Sequence, residues 1–344
     1  MKILIGVWHP AHVHFFKNAI KELKGKGHEV LVAARKKEAT YKLLTSYNID
    51  FTPISTHKRT AVGKFKDFFS RWKTTFHYCR KVKPDILLGI SDFYFAQIGK
   101  LLGIPSLVFT DSEPVLIDPI LTYPFASQIL TPINFSKSLG KKHTRYNGFH
   151  EIAYLHPRYF RADNSIFNYL GISKNEKYAL MRFVSWSASH DFGHGGFSLE
   201  NKKELVKQIS KYMRVFISSE SKLPDELDSY RIKIPVHKIH DALNFANLFI
   251  GDSQTMATEA AILGTPTIRS NSFVGPNDMS NFIELEEKYK LMYNIKNPNL
   301  ALEKALFLCS QDDAKSNWIR KSKEIFTNKV DVTQLILDSI SRYS

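Results

Sequence analysis

Short apolar runs alternate with helix-length amphipathic stretches along this chain, and the alternation occurs twice. No other feature constrains the fold as much. Strands separated by helices are joined by crossovers, so they lie parallel in a doubly wound sheet. In the first half, strands are expected at 2–7, 29–34, 85–89, 106–110 and 129–131, with helices over 14–27 and 93–102. The stretch 145–175 is turn-rich and lacks a clear period. A second series then begins, with strands at 178–183, 215–218, 248–250 and 267–269 and helices over 202–212, 240–246 and 256–263. The 344 residues exceed one ordinary core and fit two α/β domains of about 150 residues each. The expected organisation is a Rossmann-like domain over 1–155, a second over 156–330 and a terminal helix over 331–344. The two doubly wound parallel sheets are expected to face a central cleft.

In open α/β sheets, ligands bind beyond the carboxyl ends of the strands. The most informative such loop lies in 247–269, NLFIGDSQTMATEAAILGTPTIR. An apolar strand stops at Gly251, a polar turn follows, and a helix starts at once. Backbone N–H groups at that helix start can hold phosphate oxygens, around Ser253, Gln254, Thr255 and Met256. Glu259, further into the helix, can accept from vicinal ribose hydroxyls. The plain alternative is a capped helix with an acid near its start. A second loop, 184–197, carries Gly193, Gly195 and Gly196, with Arg182 at its mouth as a charge for a diphosphate.

The N-terminal half offers two further loops. His9-Pro10-Ala11-His12-Val13-His14 follows the first strand. Three close histidines invite a metal reading, but no cysteine or clear carboxylate ligand stands near, so no metal is expected. A histidine there serves as a general base or contacts an acceptor. Asp111 and Glu113 lie just past the strand at 106–110, as base and acceptor-sugar ligand or as solvated acids of a turn. Near the other end, Asp278 and Asn281 have side chains suited to sugar hydroxyls, or to a helix start.

Other classes lack their signatures. No G-x-G-x-x-G follows the first strand, and no P-loop or H-E-x-x-H is present. Gly-Asp-Ser at 251–253 resembles a serine-hydrolase block, yet no histidine follows His240. The two cysteines, Cys79 and Cys309, make neither a disulfide framework nor a CxxC pair, which fits a reducing, cytoplasmic setting. No apolar run reaches the roughly 18 residues of a membrane span. The net charge of +15 favours anionic partners. Basic residues interleave with aromatics over 64–83, as in an amphipathic helix on a membrane surface or an ordinary helix with an aromatic core face. None of the usual nucleic-acid signatures is found.

Together HPAHVHFFKN (9–18), ISSE (217–220), IGDSQTMATEAAILGTPTIRSNSF (250–273) and DMSNFIELEEKYKL (278–291) resemble the domain of unknown function 354 family over nearly the whole chain. The resemblance implies a GT-B-like fold. The chain is also similar to the peptidoglycan N-acetylglucosaminyltransferase. That similarity matches His12 to its loop histidine, Ser253 and Thr255 to its phosphate turn, Glu259 to its ribose ligand, and Asp278 and Asn281 to donor-sugar contacts. It is similar as well to the non-hydrolysing UDP-N-acetylglucosamine 2-epimerase, with Asp92 and Asp111 near its acidic positions and 190–197 near its phosphate-contacting loop. These resemblances imply a metal-independent, inverting glycosyltransferase that needs no cofactor. It would use a nucleoside-diphosphate sugar, a UDP-sugar among the candidates, and a cell-surface glycan or lipid-linked acceptor. His12 or Asp111 would be its base, with His9 and Glu113 near the acceptor. The expected location is cytoplasmic, peripheral at the inner membrane face. A nucleotide-sugar 2-epimerase and a non-catalytic sugar-nucleotide or polymer-binding protein remain as alternatives.

Overall fold

The computed structural model describes residues 1–55, 61–114, 117–184, 195–219, 222–276 and 278–343, with backbone alone at 55 and 61–67. The chain divides into two compact units, Met1–Tyr159 with Val330–Ser344, and Phe160–Lys329.

The first unit runs β1 (Lys2–Val7), α1 (Pro10–Gly25), β2 (Glu29–Arg35), α2 (Glu38–Ser46), β3 (Thr52–Ser55), α3 (Ala61–Val82), β4 (Ile86–Ile90), α4 (Phe93–Leu102), β5 (Ser106–Phe109), α5 (Asp118–Leu121), β6 (Gln128–Pro132), β7 (His143–Tyr146) and α6 (Ile152–Leu155). Its seven strands form one sheet in the order β3-β2-β1-β4-β5-β6-β7. Every pairing is parallel. A strand covered by helices on both faces must be apolar throughout. Hence β1 is buried from Ile3 to Val7 and β5 along its whole length.

The stretch 64–83 becomes most of α3. Phe68, Trp72, Phe76 and Tyr78 pack against the cluster of Leu4, Leu87, Tyr94 and Ile98. These aromatics therefore belong to the core, and among the described side chains of the helix Phe69 is the large apolar one left exposed.

The second unit runs α7 (Ile166–Leu170), β8 (Tyr178–Phe183), α8 (Leu199–Ile209), β9 (Arg214–Ser219), α9 (Asp225–Asp228), α10 (Ile239–Phe245), β10 (Leu248–Gly251), α11 (Gln254–Ile262), β11 (Thr267–Arg269), α12 (Ser280–Ile283), β12 (Met292–Asn294), α13 (Pro298–Cys309) and α14 (Ala314–Asn328). Its sheet has the order β12-β11-β10-β8-β9 and is also parallel throughout. The last helix, α15 (Val332–Ser341), belongs to the first unit. It buries Val332, Ile336, Leu337 and Ile340, and Thr333 Oγ1 donates to the carbonyl of Ala153 at 2.7 Å.

The strand β7 lies inside the stretch that reads as turns. Its sequence, HTRY, is mostly polar and only Tyr146 is buried. A four-residue edge strand of that kind leaves no period to detect.

Candidate functional site

Each sheet reverses its strand order once, between β1 and β4 in the first unit and between β8 and β10 in the second. These are the switch points where open α/β sheets bind ligands. A buried aspartate follows the strand end at each.

In the first unit it is Asp92, the N-cap of α4. Its Oδ1 accepts from Phe95 N at 3.0 Å and its Oδ2 from the Trp8 indole at 2.6 Å. The carboxyl lies so close over the strands that a Cβ on Gly6 would meet Oδ2 at 2.4 Å, and one on Gly89 would meet the Asp92 Cβ at 2.4 Å. Burial raises the Asp92 pKa to about 7, against the hydrogen bonds from Phe95 and Trp8 that lower it.

The loop after β1 is a helix start. His9 is exposed and caps α1, its Nδ1 accepting from Ala11 N at 3.3 Å. His12 lies within the first turn, with Trp8 N–H 3.5 Å from its Nδ1. Desolvation, then the neighbouring His9 and His150, lowers its pKa to about 3. His12 is thus neutral at physiological pH and a weak proton acceptor. His14 points into the core against Tyr154, ring centroids 5.4 Å apart. Among the described residues, no group of three or more His, Cys, Asp or Glu is placed to hold a metal ion.

Beyond β5, Asp111 keeps a 22% exposed side chain. Its Oδ1 accepts from Ser112 Oγ at 3.3 Å, and its Oδ2 lies 3.4 Å from His150 Nδ1. Glu113 turns inward instead. Its Oε1 accepts from Ser136 N at 2.6 Å, while its own carbonyl accepts from Lys137 Nζ. That carboxylate pins the loop after β6.

In the second unit the buried aspartate is Asp252, at the end of β10. Its Oδ1 accepts from Val184 N at 2.9 Å, and its carbonyl accepts from Asn271 Nδ2 at 3.1 Å. Ser253 caps α11, its Oγ accepting from Met256 N at 3.4 Å. Gln254 is half-buried, Thr255 exposed and Met256 buried. The helix sinks at once into the core, so Glu259 is 3% exposed and Oε1 meets His240 Nε2 at 3.0 Å.

Arg182 sits beside this turn, its Cα paired with Gly251 across β8 and β10. Its Nη1 donates to Ser218 Oγ at 2.8 Å, toward β9 on the other flank. The loop that Arg182 opens lies outside the described residues over 185–194, as do Glu220 and Asn277. Gly195 N donates to Ser272 Oγ at 2.9 Å, which ties the loop's return to the segment after β11.

Asp278 and Asn281 are buried. Asp278 forms an ion pair with Arg269, whose guanidinium is fully buried, 3.6 Å over the Phe282 ring. Arg269 Nε donates to Asn294 Oδ1 at 2.7 Å, and Asn294 in turn donates to Glu286 at 2.8 Å. The Asn281 amide oxygen has no hydrogen-bond partner among the described residues.

Sequence reading missed Trp8, His150, His240 and Arg269. Each matters through a side-chain partner outside its own element, from nine residues away for Arg269 and Asp278 to 84 for Trp8 and Asp92, and no local motif announces such a pair.

Two parallel-sheet α/β units of these strand orders make this a GT-B fold. The chain aligns over 99% of its length with 100% of the UDP-GlcNAc 2-epimerase from Neisseria meningitidis bound to UDP-GlcNAc, with a TM-score of 0.68 and 14% identity. It aligns over 98% with 99% of a glycosyltransferase of Streptomyces sp. SF2575 complexed with thymidine diphosphate, with a TM-score of 0.62 and 16% identity. Within that fold class, the chain belongs to the family described as protein of unknown function DUF354, which matches residues 1–339. An uncharacterised protein of Methanocaldococcus jannaschii is 27% identical over 279 residues, covering 78% of this chain and 81% of that protein. No helix among the described residues is long and apolar enough to cross a membrane.

Proposed function

We propose that the protein is a metal-independent glycosyltransferase that moves a sugar from a nucleoside-diphosphate donor to a glycan or lipid-linked acceptor. The observation that carries this reading is the polar turn at the second unit's switch point, where the capped start of α11 adjoins the strand end bearing Arg182. In this reading the diphosphate rests on the N–H groups near Ser253–Met256. The helix end and Arg182 stabilise the charge that develops as the anomeric C–O bond breaks. Gln254 and Thr255 line the turn, and Glu259, held by His240, takes the ribose hydroxyls.

We take Asp111 as the base of the two candidates, because its half-buried side chain still reaches solvent beyond β5 while His12 is desolvated. The acceptor O–H gives its proton to Asp111, and its oxygen bonds to the anomeric carbon. The nucleoside diphosphate leaves with the electron pair, and the anomeric centre inverts. His9, His12 and Glu113 shape the acceptor side. Asp278 acts on the donor-sugar side through its buried pair with Arg269, which fixes the segment after β11, and Asn281 stands beside it as a donor-sugar contact. The net charge of +15 supports attachment to an anionic membrane at the cytoplasmic face, driven by charge since the α3 aromatics pack inward.

Epimerisation is the second reading. It is favoured by the two carboxyls Asp92 and Asp111 beyond neighbouring strands, one of them poised near pH 7. One experiment separates the two. The protein is incubated with a panel of nucleotide-sugars, with and without lipid extract, and the nucleotide is followed by mass spectrometry. Transfer releases nucleoside diphosphate only with an acceptor. Epimerisation isomerises the donor without one. An unchanged panel in both arms leaves only a binding protein.

A further inference from the structure

We propose that His150 is the positioning residue that aims Asp111 at the acceptor hydroxyl, an inference that rests on the glycosyl-transfer reading above. His150 follows β7, far from Asp111 in sequence, yet its Nδ1 lies 3.4 Å from Asp111 Oδ2. Ser112 Oγ donates to the other oxygen at 3.3 Å. Each carboxylate oxygen therefore has a side-chain neighbour, Ser112 Oγ at one and the His150 ring at the other, while the side chain keeps 22% exposure. Hydrogen bonds of catalytic groups are often long without substrate and shorten in the productive complex.

The ring itself is firmly seated. It packs 4.7 Å from Phe15 and lies parallel to Tyr146, 5° apart at 6.3 Å. Two buried polar atoms here, His150 Nε2 and the Tyr146 hydroxyl, have no hydrogen-bond partner among the described residues. A histidine kept only for packing would be replaceable by phenylalanine, which fits the aromatic bed and brings no unsatisfied nitrogen. Among the described residues, the side-chain polar group that the imidazole does meet is the Asp111 carboxylate.

The groups facing His150 are Asp111, His12 on α1, Tyr146 on β7 and the adjoining Glu151. Burial holds its pKa down more than Asp111 raises it. A neutral ring presents Nδ1–H to the carboxylate and leaves the negative charge in place, whereas an imidazolium would offset it. His12 has its Nδ1 3.5 Å from the Trp8 amide nitrogen.

The test uses the full chain with His150→Phe, His150→Asn and Asp111→Asn. His150→Phe is expected to keep the wild-type melting temperature and donor KM while turnover falls by up to about 100-fold, the loss a misaimed catalytic group incurs. His150→Asn, whose amide can donate near the Nδ1 position, should recover most of that loss. If Asp111→Asn turns over like wild type, the reading of Asp111 as base fails. If Asp111→Asn is inactive but His150→Phe is not impaired, the positioning role is overturned and the transfer reading stands. A second readout needs no substrate. Ring nitrogen chemical shifts should show His150 protonated at Nδ1 in the wild type and redistributed between tautomers in Asp111→Asn. An Nε2-protonated ring, or one indifferent to Asp111→Asn, also overturns it.

Discussion

The indole of Trp8 donates to Oδ2 of Asp92 at 2.6 Å. This one bond ties the loop after β1 to the loop after β4, the two strands between which the strand order of the first sheet reverses. The same carboxyl caps α4 through Phe95 N and leaves no room for a Cβ on Gly6 or Gly89. It is an aspartate taken out of water for the sake of geometry, and its titration should show.

Asp92 has a folded-state pKa of about 7 against an ordinary 3.8. The folded state therefore binds the proton more tightly than the unfolded chain. Its contribution to stability is full below about pH 4 and is lost as pH rises through about 7. At 1.36 kcal/mol per unit the loss is at most about 4 kcal/mol. The melting temperature of the wild type should fall relative to Asp92→Asn between pH 4 and 8. Parallel pH profiles of the two proteins would contradict the buried, protonatable carboxyl.

Arg182→Met should weaken nucleotide binding by about 1.5–3 kcal/mol, the usual contribution of a charge-assisted hydrogen bond. That is roughly a ten- to hundredfold loss in affinity, read by calorimetry with UDP and thymidine diphosphate. Ser253→Ala should weaken binding too, and should also lower stability by about 1 kcal/mol, because its hydroxyl caps α11. Equal affinity in all three proteins would remove the phosphate from this turn.

Glu259 and His240 meet at 3.0 Å with almost no exposure. Truncating one removes a buried hydrogen-bond partner from the other, at a cost of about 1–3 kcal/mol. Glu259→Ala should therefore destabilise the protein, and Glu259→Gln less so, since the amide oxygen still meets the imidazole. Nucleotide affinity should drop in Glu259→Gln even where its melting temperature is near wild type. Wild-type affinity in that variant would make the pair purely structural.

The Arg269–Asp278 pair is buried in the second unit. Asp278→Ala leaves a guanidinium uncompensated and should cost about 3–5 kcal/mol in urea denaturation. Arg269→Met with Asp278→Ala should recover much of it. A double variant no more stable than Asp278→Ala would show that the pair does not act as a unit.

Membrane attachment, if electrostatic, should require anionic vesicles and fade with salt, at about 1 kcal/mol per basic residue near the surface. Substituting Lys64, Lys66, Arg71 and Lys73 by Gln should reduce sedimentation with such vesicles, and Phe69→Ala should matter less. Arg71 is the informative member, because it is buried with its guanidinium 5.3 Å from the Tyr94 ring. Arg71→Gln alone should disturb the fold more than the attachment. Equal sedimentation with neutral and anionic vesicles would end the membrane reading.

The strands that fill each sheet's centre were legible because a strand buried on both faces has to be apolar along its length. Lys2–Val7 and Tyr178–Phe183 stand where their sequences place them. The shortest edge strands were not. β3, β7 and β12 are three or four residues long and only partly buried, whereas the six-residue edge strand β9 was expected at 215–218. The turn at Ser253 was legible as a helix start, but a cap and a phosphate site use the same residues.

What the sequence determined by itself was the periodicity, and hence two parallel α/β sheets, with polar loops assigned to their strand ends. Tertiary structure decided the partners. It alone set Asp111 against His150 and Glu259 against His240. It turned Asp278 inward to Arg269, and returned the last helix to the first unit. The reason is physical. Strand and helix periods are local and are written in consecutive residues. The environment that makes a carboxylate a base, a ligand or a buried counter-ion is supplied by side chains of other elements, brought near by the turns and crossovers of the fold.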